Sequence, residues 1–133
     1  MKKRIIMIVT LCLTIFSCSK INDVSTTNSN IVGKWILKET LNDPGDGSGV
    51  FISVNSAKVL IFNANGEITS NGSICSNTIE SNLQTTGTYS ANDKTIISSN
   101  CTNSRISYQL NGNILTISYF CDEGCSAKYF KIR

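Results

Sequence analysis

Short runs of alternating apolar and polar residues, broken by clusters of Asn, Gly, Asp and Ser, dominate residues 31–133. No apolar repeat with a 3.6-residue period runs far enough to predict a helix, whereas period two is the mark of a strand with one buried face. Strands are predicted near residues 31–40, 57–63, 67–73, 84–91, 94–99, 104–110, 113–120 and 126–133, with a further short one near 77–82. Ile106, Tyr108 and Leu110 share one face, with Arg105, Ser107 and Gln109 on the other, and Leu115, Ile117 and Tyr119 share a face in the next run. By the same parity Glu39 ends the face that carries Trp35 and Leu37. The breaks are explicit: Asn65-Gly66, Asn92-Asp93 and Asn111-Gly112-Asn113 are residues that tolerate positive φ or cap tight hairpins. Consecutive hairpins make an antiparallel meander. About eight strands in a meander leave two edges, and closure into an up-and-down barrel removes both. The expectation is an all-β fold, a small barrel of about eight strands, with a two-sheet sandwich as the alternative. The only long irregular insert runs from Leu41 to Ser56.

A different pattern precedes residue 18. Lys2, Lys3 and Arg4 are followed by an apolar run from Ile5 to Phe16, about twelve residues and too short to span a bilayer. Ser17 and Cys18 then end the hydrophobic stretch. This resembles a bacterial lipoprotein signal peptide, with Ile15-Phe16-Ser17-Cys18 as the lipobox. The resemblance implies cleavage before Cys18 and a lipid (diacylglycerol, palmitate) on that residue. The chain then divides into a leader at 1–17, the lipidated Cys18 with a tether to residue 30, and a domain at 31–133. Residues 19–30 are too polar to offset the entropy of ordering them, and span at most ~40 Å when extended. The expected location is the cell envelope, anchored to the outer membrane. The membrane is a partner through acyl chains that contribute about 0.8 kcal/mol per buried methylene.

Losing the leader changes the charge. The full chain has 12 Lys plus Arg against 9 Asp plus Glu. Lys2, Lys3 and Arg4 leave with the leader, so the mature protein is neutral. The remaining basic residues are scattered, without aromatic interleaving, which argues against nucleic acid as a partner. Among six cysteines, Cys12 lies in the leader and Cys18 is used for lipid. Cys75, Cys101, Cys121 and Cys125 remain, an even set in a small exported domain, which reads as two disulfides. Three pairings are possible. Only Asp122-Glu123-Gly124 separates Cys121 from Cys125, which favours that bridge and leaves Cys75 with Cys101. A four-cysteine zinc site would need two closely spaced pairs, and a redox pair would favour Cys-x-x-Cys at a helix start. No metal and no cofactor is expected.

Ile31-Val32-Gly33-Lys34-Trp35 is similar to the Gly-x-Trp motif that opens the lipocalin barrel. The ordered set that follows extends the likeness. It comprises Asp43-Pro44-Gly45-Asp46-Gly47-Ser48-Gly49, Leu60 to Gly66, Asn71-Gly72-Ser73-Ile74-Cys75 and Gly87-Thr88-Tyr89-Ser90. Over residues 31–91 the chain resembles the small lipocalin-like lipoproteins of Gram-negative bacteria. The resemblance implies a barrel floor made by Gly33 and Trp35, with a basic residue of the last strand over the indole. Arg133 is assigned that role, and Lys131 is its competitor. The chain has no room for the C-terminal helix of true lipocalins.

The chain contains no histidine, which removes Ser-His-Asp and Cys-His catalysis. Most carboxylates fall in turns; a pair formed by Glu39 and Glu67 is the one hydrolase arrangement left, and no enzyme activity is expected. The glycine-rich loop carrying Asp43, Gly45, Asp46, Gly47 and Gly49 invites a calcium reading. It places Pro44 and Ser53 where an EF-hand needs oxygen ligands. It reads instead as a loop at the barrel mouth, the first place to look for a ligand. Phe51, Phe62, Tyr89, Tyr108, Tyr119, Phe120, Tyr129 and Phe130 are expected mostly in the core. The expected function is non-enzymatic binding of a small apolar or amphipathic molecule by a monomer. The alternative is a filled barrel that docks an envelope protein or glycan.

Overall fold

The computed structural model describes residues 30–102 and 106–133. The leader, Cys18 and most of the tether lie outside the described residues, as does Arg105. Nine strands follow one another: β1 (Gly33–Asn42), β2 (Ile52–Ser53), β3 (Val59–Phe62), β4 (Glu67–Ser70), β5 (Thr85–Ser90), β6 (Thr95–Ile97), β7 (Ile106–Asn111), β8 (Ile114–Tyr119) and β9 (Cys125–Ile132). From β3 to β9 each strand pairs antiparallel with the next, and β1 pairs with both β3 and β9. The result is a closed eight-strand barrel, not a sandwich. The two-residue β2 is an extra strand laid beside the far half of β1, pairing Thr40 with Ile52. It was not expected from the sequence, since its two side chains are exposed and show no amphipathic pattern.

The turns form where the sequence placed them. Gly66 takes φ +87° between β3 and β4, and Gly112 takes φ +57° between β7 and β8, conformations that cost glycine little. The strand expected at 67–73 stops at Ser70. The Asn71 side chain leaves the ladder there, accepting from the Val59 amide at 2.7 Å and donating to the Ala57 carbonyl at 3.0 Å. No strand forms at 77–82, because the carbonyls of Ser76 and Thr78 are taken by the Lys58 ammonium instead of a neighbouring strand.

Alternation fills the barrel. Trp35, Leu37, Leu60, Phe62, Ile68, Ile96, Ile106, Leu115, Ile117, Ala127 and Tyr129 all point inward and are fully buried. Phe62 meets Tyr89 edge-on at 5.0 Å. Ile31 lies under the floor, and its carbonyl accepts the Trp35 indole N–H at 2.8 Å. The parity of β1 does not survive to its end. A bulge between Leu37 and Glu39 leaves Lys38 unpaired, so Glu39 faces outward opposite Lys128. Glu39 binds the Lys128 ammonium at 2.8 Å, and Glu67 sits at the opposite end of the barrel, bonded to the Asn65 amide. The two carboxylates therefore form no pair.

Register also decides which cation covers the floor. Trp35 stands opposite Lys131, whose ammonium lies 5.1 Å from the indole ring and donates to the Asn30 carbonyl at 2.6 Å. Arg133 has the same parity but falls beyond the end of β9 and is exposed. Lys131 takes the position the sequence reading gave to Arg133. Replacing Trp35 by Ala should lower unfolding free energy by about 3–5 kcal/mol, the cost of an aromatic core truncation. Arg133→Ala should stay within about 0.5 kcal/mol of wild type, as surface changes do. Urea denaturation followed by tyrosine fluorescence or circular dichroism checks both.

Candidate binding site at the barrel mouth

The two ends of the barrel differ. The end that holds Trp35 is joined by tight turns at 63–66, 91–94 and 112–113. The opposite end, the mouth, carries the long connections 43–51, 71–84 and 120–124 and the described residues 98–102 after β6. The glycine-rich loop of Asp43 lies there as expected, but it is built for its own shape. One Asp43 carboxylate oxygen accepts the amides of Gly45 and Gly47 at 2.7 and 3.0 Å, and the other accepts Gly49 at 2.8 Å. These N–H groups, Gly49 first, hold the Asp43 carboxyl below its ordinary value. Asp46 is lowered as well, first by the Ser48 hydroxyl and then by the Ser48 amide. A side chain at Gly49 would run into the Asp43 backbone, so the residue is glycine for want of space. The loop is a self-contained knot tied to the next one by the Asp43 amide on the Gly124 carbonyl at 2.9 Å. Among the described residues no group of three or more His, Cys, Asp or Glu is placed to hold a metal.

What closes the mouth is a segment the sequence reading divided among strands: the strap of residues 71–84. Ile74 drops from it into the core and is buried. Cys75 is bridged to Cys101 on the connection after β6, with the two Cα atoms 5.3 Å apart. Asn77 donates to the Leu41 carbonyl at 2.9 Å and to the Asn42 side-chain oxygen at 2.8 Å, both at the end of β1. Strap contacts therefore reach both sides of the opening. Beneath it lies Lys58, the residue most clearly missed from sequence. It shares the inward parity of Leu60 and Phe62, and this parity was the available signal. Its ammonium, fully buried, donates to the carbonyls of Ser76 and Thr78 at 2.8 and 2.9 Å.

Between the strap and the 120–124 connection is an open cleft of about 540 Å³. Asn42, Asp43, Ser76 and Asn77 form one side, and Tyr119, Phe120, the Cys121–Cys125 bridge and the acidic Asp122 and Glu123 between its cysteines form the other. The Tyr119 hydroxyl is 3.2 Å from that of Tyr129, and burial raises both phenols. Phe120, expected in the core, is instead 76% exposed, because β8 ends at Tyr119 and the chain turns outward. Phe51 is also outside, its ring 3.9 Å beneath the Lys128 ammonium. The cleft falls within the usual 300–1,000 Å³ of small-molecule sites, roughly. It is lined by no basic side chain and by three carboxylates, Asp43, Asp122 and Glu123, and so offers hydrogen-bonding groups and an exposed aromatic ring in an acidic setting that disfavours an anionic headgroup. Two further hollows, of about 520 and 390 Å³, lie on the outer wall and share Thr69 between Ile61 and Ile97.

A family model described as a lipocalin-like domain matches residues 31–133. No curated protein and no solved structure matches the chain.

Buried ionisable groups give the domain a defined alkaline response. Desolvation lowers Lys58 from 10.5 to about 8, so between those values the unfolded chain binds more protons than the folded one. Stability therefore rises as pH increases from about 8. Tyr108, Tyr119 and Tyr129 are raised above 10.0, so above that pH the unfolded chain releases protons that the folded one keeps, and stability falls. Denaturant titrations should show a maximum near pH 10. Lys58→Met should remove the rise between pH 8 and 10 and leave the decline above it.

Proposed function

The chain belongs to the lipocalin-like domain family, and on that premise we propose that it is a lipid-anchored envelope protein that binds a small amphipathic ligand without a catalytic step. The fold suggests ligand binding in general, and the mouth cleft is the observation that carries the narrower reading. The barrel interior is occupied by its own side chains, whereas the cleft joins an exposed aromatic ring at Phe120 to the amide groups of Asn42 and Asn77. An apolar body against Phe120 and Tyr119 and a polar, uncharged or zwitterionic head against the asparagines would satisfy both sides. The proposed anchor is Cys18, supported by the charged and apolar leader before it and the polar stretch after it. A neutral mature charge leaves membrane attachment to the lipid, and the outer membrane is the proposed location. A monomer suffices, since the cleft is lined by one chain.

A second reading has its own support. Ile97 and Leu83 are 60% and 58% exposed on the outer wall around β3 to β6, where a docked envelope protein or glycan would cover them. The two readings separate by mutation. A nitrobenzoxadiazole-labelled monoacylglycerol, neutral and amphipathic, should bind the mature protein, and Phe120→Ala should weaken it roughly tenfold, as loss of an aromatic anchor does. Ile97→Ser should leave that affinity unchanged. Equal loss from both variants, or no binding at all, would move the function to the outer wall. The anchor is tested separately: Cys18→Ser should abolish incorporation of a palmitate probe and release the protein from the envelope fraction.

A further inference from the structure

The strap is attached to the barrel in an unusual way. Within 71–84, the backbone bonds to the rest of the fold include Asn71 to the Val59 carbonyl at 3.4 Å, while Leu83 bonds back to Asn71 itself. The other attachments are made largely by side chains: Lys58 to Ser76 and Thr78, Asn77 to Leu41, Ser56 to Ile79, and Thr85 to the Gly72 carbonyl at 2.6 Å. Of its apolar side chains only Ile74 enters the core; Ile79 and Leu83 are 44% and 58% exposed. The barrel ladder runs from β3 round to β9 and back to β1 without using the strap. Segments with few ladder bonds and little buried apolar surface open at lower free energy than the strands around them.

We propose that residues 71–78 form a hinged cork, locked by Cys75–Cys101, whose lifting withdraws Ile74 and joins the mouth cleft to the apolar interior of the barrel. Three features converge on this. Ile74 is the part of the strap that fills the interior. Cys75, Ser76 and Asn77 line the cleft and belong to the strap, so movement of one is movement of the other. Lys58 is a cation covered by the strap and held by two of its carbonyls, and lifting the strap returns that cation to water. Charge burial therefore works against closure, and the bridge to Cys101 opposes it. No titratable side chain of the strap contacts the ammonium directly; Glu80 acts on it through space alone.

The test uses the mature protein, with hydrogen exchange read by mass spectrometry and N-phenyl-1-naphthylamine as a neutral apolar probe. In Cys75→Ser/Cys101→Ser, peptides covering 72–78 should exchange at least about tenfold faster while those of β7 to β9 keep their protection, and probe fluorescence should rise severalfold. Asn77→Ala keeps the bridge and cuts the tie to β1; it should shift the same peptides in the same direction by a smaller factor, and it decides the matter if the double variant does not fold. Unchanged strap exchange, acceleration of strap and strands together, or faster exchange without probe uptake would each overturn the proposal.

Discussion

Pairing between the first and last strands sets everything else in this domain. Eight residue pairs, from Lys34 with Ile132 to Asn42 with Cys125, join β1 to β9 and leave the eight-strand sheet without an edge. A closed ladder fixes an inside and an outside, and period-two side chains must then obey it. Trp35 and Leu37 point in because their partners Lys131 and Tyr129 point in. The same pairing accommodates one extra residue at Lys38, and that bulge turns Glu39 outward to meet Lys128. A half-exposed pair of this kind contributes little on its own. Its consequence is chemical, since it keeps the carboxylate out of the barrel.

Closure also separates two ends with different economies of structure. At the Trp35 end, turns are tight and the floor is a packed indole under a lysine stem. At the mouth, long connections lack a ladder and bury little apolar surface, so their order comes from elsewhere. Both disulfides are there: Cys75–Cys101 ties the strap across the opening, and Cys121–Cys125 closes the turn after β8. Cross-links stabilise mainly by restricting the unfolded chain, and more so when the closed loop is longer. The bridge spanning 26 positions therefore contributes more to stability than the one spanning four, whose effect is to shape the cleft wall.

The barrel was legible because its signals are local and repeated. Alternation in β7 and β8, positive-φ turns at Gly66 and Gly112 and the Gly-x-Trp set each report on a few neighbouring residues, and the structure keeps all of them. What escaped depends on contacts distant in sequence. Whether Lys131 or Arg133 covers Trp35 is settled by register between strands about a hundred residues apart. Residues 71–73 and 77–82 of the strap were expected to be strand, yet the strap is held by side-chain bonds from Lys58, Asn71 and Asn77 and no ladder forms there. Phe120 was grouped with the core aromatics, yet the alternation that turns Leu115, Ile117 and Tyr119 inward already puts residue 120 on the outer side. The glycine-rich loop was read as a place to look for a ligand, and its Asp43 carboxylate faces its own amides.

Those misses share a cause that also bears on the proposed recognition surface. A buried ammonium costs free energy unless its hydrogen bonds are made, and a strap without a ladder has carbonyls that need donors. Lys58 and the strap satisfy each other. Asp43 does the same for three amides of its loop, and Asn77 for the Leu41 carbonyl near the end of β1. The mouth is thus assembled by polar side chains bonding to backbone, a mode of construction that leaves the surrounding surface polar and internally satisfied. Phe120 stands apart from it, a large and mostly exposed apolar ring at the edge of the cleft beside a disulfide-closed turn. A surface that has met its own hydrogen bonds gains most from covering apolar area, so the ligand proposed for this mouth would gain most by covering that ring.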